Sequence, residues 1–239
     1  MLAHPLLFWR EPGPCYNLTK FVISQQIHAR DRSKVWSLIK KTGSDIWDEM
    51  FKLMVFNIIW VLATLIVLPW PFVTFGLFYT VKDIGEGNGI KFSSPFTYGL
   101  QVLKPAYIWA IINLGVFLGI FLNLNFYSTV EASWARFIQI FMLSLMLFWI
   151  IIQLVMLAMY PRLTEPSFRL ALRNSVIIIA RHPGPILALS VGVVLILIIS
   201  SFIPVLLLLL SISMIMMLVN NVIDSLVTYE LDHEKIRRN

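Results

Sequence analysis

HPGPILALSVGVVLILIISSFIPVLLLLLSISMIMMLVNNVI, residues 182–223, contains no Asp, Glu, Lys or Arg. A helix needs about 20 predominantly apolar residues to cross the ~30 Å hydrocarbon core of a bilayer. This run of 42 residues is therefore long enough for two crossings. Ser200, Ser201 and Pro204 punctuate it and place the spans at about 185–200 and 204–223. Three more runs lack charge: 29 residues over 53–81, 26 over 105–130 and 25 over 137–161. None alternates apolar with polar, as a transmembrane strand would. The expected fold is all-α, a polytopic transmembrane bundle whose helices satisfy their own backbone groups in lipid.

Composition agrees. The chain is 58% hydrophobic and 13% charged, where a soluble domain carries about 25% charged residues. The net charge of +6 does not point to nucleic acid, because the cations fall between the apolar runs, where the positive-inside bias puts them. One cysteine, Cys15, excludes an internal disulfide. Residues 1–32 are expected to be a cytoplasmic extension without a cleavable signal, and 224–239 a cytoplasmic tail.

The run 53–81 is the difficult one. As one helix it would be about 43 Å long, and Pro69-Trp70-Pro71 interrupts it. A division into 53–69 and a short or re-entrant limb over 71–85 is expected, with Pro69, Pro71 and Gly76 as the break. Charge counting supports a hairpin. Lys and Arg number eight up to residue 52, three over 82–104, four over 162–181 and three in the tail, against Arg136 alone near the 126–135 connection. With a hairpin at 53–81, eighteen cations lie inside and one outside. Further spans are placed at about 106–126 and 135–159, giving a membrane domain over 33–223 built from three hairpins. Amphipathic pieces at 33–52, 94–104 and 164–181 read as interfacial helices.

The stretch Asn57-Ile58-Ile59-Trp60, then Pro71-Phe72-Val73-Thr74-Phe75-Gly76, Tyr79, Lys82, the glycine-rich turn and Phe96 resembles the YesL-like family of bacterial membrane proteins. The resemblance covers roughly residues 45–225. It implies a bacterial cytoplasmic membrane, an activity not known for the family, and a supporting role in carbohydrate import.

Asn57, Asn113, Gln139, Gln153, Asn220 and Asn221 are amides within the spans. Such groups usually bond across helices; the other reading is a polar cavity, with Asn57, Thr74 and Asn113 as candidate substrate ligands. Gly115-x-x-x-Gly119 permits close helix approach, within the chain or in a homo-oligomer. No span carries a charge in its interior, which argues against proton coupling. His4, His28, His182 and His233 are scattered, so no metal or other cofactor is expected. No nucleophile, phosphate loop or paired carboxylate points to an enzyme. The expected partners are the lipid bilayer and a carbohydrate importer or other membrane protein. A small transporter using the broken first hairpin is the alternative.

Overall fold

The computed structural model describes residues 40–44 and 47–238. The expected extension over 1–32 lies outside the described residues. The chain divides into two units, residues 1–41 and 42–239, and the helices below belong to the second. They are α1 (Met50–Ile66), α2 (Trp70–Gly85), α3 (Ser94–Gln101), α4 (Leu103–Ser128), α5 (Ser133–Met159), α6 (Phe168–Arg181), α7 (Pro183–Phe202), the short α8 (Pro204–Leu206) and α9 (Ile212–Arg238). A 3₁₀ turn, Tyr160–Arg162, follows α5, and a π-helical turn, Leu207–Ser211, joins α8 to α9. No strand occurs among the described residues. The protein is an all-α helical bundle.

Four stretches are long and apolar enough to cross a membrane: Leu103–Ser128, Ser133–Arg162, Pro183–Phe202 and Pro204–Leu231. The first three bury only 17%, 28% and 17% of their most apolar window, the last 65%. Large apolar side chains such as Ile111, Phe121, Phe137 and Phe202 are exposed on the first three. In water such surfaces would be a liability; in lipid they are the expected outer wall. The chain is thus a multi-pass membrane protein, with α4, α5 and α7 toward lipid and α9 largely inside.

The most extensively buried of the shorter helices is α2. It packs against α1, α3, α4, α5 and α9. Pro71, Val73–Phe78, Thr80, Val81 and Ile84 are buried. Pro71 sits in the first turn, where its missing N–H costs nothing. Between α1 and α2 the chain reverses within three residues. Val67 takes φ 69° and ψ −50°, and the Leu68 N–H donates to the Ile66 carbonyl at 2.8 Å. That is a γ-turn with positive φ, a strained conformation for a β-branched residue. Trp60 Nε1 donates to Thr74 Oγ1 at 3.0 Å, seven residues either side of Val67, so α1 and α2 are antiparallel. The Tyr107 hydroxyl donates to the Leu68 carbonyl at 2.7 Å. From Tyr107, α4 continues to Ser128, about 30 Å further at 1.5 Å per residue. The bend therefore sits near the start of α4, far from the α4–α5 connection.

The break lies at 67–69, beside Pro69. Gly76 does not break the helix, contrary to expectation. It lies inside an unbroken α2, because α3 crosses there at backbone contact. The Pro95 carbonyl oxygen fills the place of a Cβ at Gly76, and such an atom would stand 2.7 Å from the Pro95 carbonyl carbon and 2.9 Å from the Gly99 nitrogen. Gly99 in turn meets the Phe72 backbone. Gly115 and Gly119 are different. No atom lies within 4 Å of a Cβ built at either, so this motif packs no helix of the same chain among the described residues.

Candidate functional site

The three candidate ligands sit in three separate joints. Asn57 faces the π-helical turn. Its Nδ2 donates to the Leu208 carbonyl at 2.6 Å, and its Oδ1 accepts from the Ile212 and Ser213 N–H groups at 2.9 and 3.1 Å. A π turn after a proline leaves backbone groups without their usual intrahelical partners, and within a bilayer each must be satisfied by protein. Asn57 does so from α1. Thr74 accepts from Trp60 and donates to the Trp70 carbonyl at 2.7 Å, closing the α1–α2 hairpin.

Asn113 belongs to a crossed pair between α4 and α5. Trp109 and Asn113 are four residues apart on α4, as are Trp149 and Gln153 on α5. Because the helices run antiparallel, each indole meets the other helix's amide. Trp109 Nε1 donates to Gln153 Oε1 at 2.8 Å, and Trp149 Nε1 to Asn113 Oδ1 at 3.0 Å. Asn113 Nδ2 donates to the Trp109 carbonyl at 2.8 Å and lies 3.4 Å from Gln153 Oε1. Gln153 Nε2 is buried without a hydrogen-bond partner among the described residues. The rings of Trp70 and Phe75 lie 5.2 and 5.7 Å from that of Trp109, which seats the pair on α2. The repeated Trp-x-x-x-amide spacing in successive spans was the available signal for this pair.

A second polar cluster gathers where α2 and α5 end and α9 passes. Its centre is Arg162, which sequence reasoning counts as a loop cation. Its side chain is only 7% exposed. Nη1 donates to the Ala158 carbonyl at 2.6 Å, while Nη2 reaches the Asn220 carbonyl, Asn220 Oδ1 and Asp224 Oδ1 at 3.1, 2.9 and 3.3 Å. Nε has no partner. Gly85 admits this approach, since a Cβ there would stand 3.2 Å from Asn220 Nδ2 and 3.3 Å from Asn221 Oδ1. Nearby, Tyr98 donates to Asp83 at 2.6 Å and stacks on Tyr79, with ring centroids 5.6 Å apart. The Asp83 carboxylate, by accepting that bond, holds the Tyr98 hydroxyl above the usual phenol range, and burial adds to it. The C-terminal part of α9 is fastened by Glu230, which meets Arg181 at 2.9 Å and His182 at 2.8 Å.

Chemically, these groups cross-link helices. Among the described residues no three His, Cys, Asp or Glu side chains are grouped to share a metal ion. Glu86 is engaged by Lys82 at 3.0 Å, and Asp48 by Ser44 at 3.2 Å. No known protein family, curated protein or solved structure matches this chain.

Proposed function

We propose that the chain is a non-enzymatic accessory or regulatory subunit that acts through its surfaces on another membrane complex. Carbohydrate import is the setting that its resemblance to the YesL-like family implies. One observation carries the reading: Asn57, Thr74 and Asn113 each make a hydrogen bond that holds two elements together. A transporter needs polar groups free for its cargo, and the fold engages these three in its own joints. The buried α2 packs against α1, α3, α4, α5 and α9.

In this reading the membrane is the bacterial cytoplasmic one, with both termini in the cytoplasm. The distribution of Lys and Arg supports that orientation, and so does the antiparallel α1–α2 pair, whose outer ends lie together. The pair is then a re-entrant limb covered by protein on most of its α2 side.

The test is mild extraction followed by reconstitution. The chain is expected to leave the membrane in a particle containing a second polypeptide at fixed ratio. Alone in liposomes it should give no saturable sugar uptake above empty vesicles. Saturable uptake by the purified chain would overturn the reading and favour the transporter.

A further inference from the structure

We propose that α6 is a docking surface for anionic phospholipid headgroups. With 14 residues it is about 21 Å long and too short to cross. It connects the end of α5 to the start of α7, both of crossing length, so it lies at the end of the bundle where Arg162 and His182 are found. Ala171, Ser175 and Ile178 are buried on its inner face, where it packs on α5 and α7.

The outer face combines two chemistries. Arg169 and Arg173, one turn apart, are exposed, and beside them so are Leu170, Val176 and Ile177. Neither arginine has a carboxylate within 4.0 Å among the described residues. Arg181, on the same helix, is paired with Glu230. Two unpaired guanidinium groups bordering an apolar row, at the end of a membrane bundle, match the boundary between phosphates and acyl chains. The apolar row enters the acyl region, and the arginines hold phosphate oxygens with charge-assisted bonds. A zwitterionic headgroup offers the same phosphate with a cation attached, so the surface selects net negative lipids.

The test uses the full chain, delipidated, with phosphatidylglycerol and phosphatidylcholine of identical acyl chains at equal concentration, read by native mass spectrometry. Phosphatidylglycerol adducts should predominate by about fivefold per arginine, the effect of a basic residue near an anionic surface. The double variant Arg169→Gln/Arg173→Gln should bring the ratio near one, and Arg169→Lys/Arg173→Lys should keep most of it. Arg136→Gln removes an exposed cation at the opposite end of the same crossing stretch and should leave the ratio unchanged. Equal binding of both lipids, a preference that survives the double glutamine variant, or an equal loss in Arg136→Gln would each overturn the proposal. Displacement of phosphatidylglycerol by millimolar inorganic phosphate would overturn it too, by assigning a site for free anions.

Discussion

Gly76→Ala should destabilise the protein by about 3 kcal/mol, the upper end of the range for overpacking a core. The cause is what lies opposite. A Cβ at Gly76 would enter the space of the Pro95 carbonyl and stand 2.9 Å from the Gly99 nitrogen. These are backbone atoms, so no rotamer change relieves the clash, and α2 and α3 must separate. Since α2 also touches α1, α4, α5 and α9, the displacement spreads through the bundle. Gly99→Ala meets the Phe72 backbone and should cost a similar amount. The double variant should cost well under the sum, because the first substitution has already parted the same two helices. Gly115→Ala and Gly119→Ala, with open space around each, should stay within about 0.5 kcal/mol of the parent. The unfolding midpoint in mild detergent measures all five. Gly76→Ala at parental stability would mean that α3 does not cross α2 at this point.

Asn57→Leu should have a comparable effect for a different reason. Leucine keeps the branching at Cγ, though it is larger, and leaves the Leu208 carbonyl and the Ile212 and Ser213 N–H groups without Asn57. Each buried polar group left unsatisfied costs about 1–3 kcal/mol, so about 3 kcal/mol or more is expected in total. Asn57→Asp keeps an acceptor for the two N–H groups but loses the bond to Leu208 and buries a charge, so it should be no milder. Yield and unfolding midpoint of the purified variants decide the matter. A stable Asn57→Leu would show that the π turn relaxes to ordinary helix without its cap. The expectation also bears on function: any loss of activity on replacing Asn57 should come with loss of protein.

The fold class was legible because bilayer thickness imposes run lengths that a linear scan detects. The charge-free stretches after Lys104, Arg136 and Arg181 announce crossing helices before any packing is known. Pro69 and Pro71 mark the reversal because proline constrains both itself and its predecessor. Tertiary roles were harder to read. Gly76 looks like a breaker in sequence, and only the approach of Pro95 and Gly99 explains why glycine stands within a straight helix. The partners of Asn57 are about 150 residues away, beyond any local pattern. Arg162 follows Tyr160-Pro161 and so resembles a loop cation, yet a single 3₁₀ turn carries it beneath α9. Of the candidate ligands, residue type alone identified Asn57, Thr74 and Asn113 as intramembrane polar groups. Which helix each one fastens depends on the antiparallel register.

The most direct test of the three-hairpin arrangement is single-cysteine accessibility in intact cells. Cys15 is first replaced, and single cysteines are then placed at Asn88, Ser128 and His233. With α1 and α2 returning to the same side, only position 128 should react with an impermeant thiol reagent. Positions 88 and 233 should react only after the membrane is opened. Labelling of position 88 from outside would mean that the first apolar run crosses once, and would contradict the hairpin on which the orientation and the re-entrant reading of α2 depend.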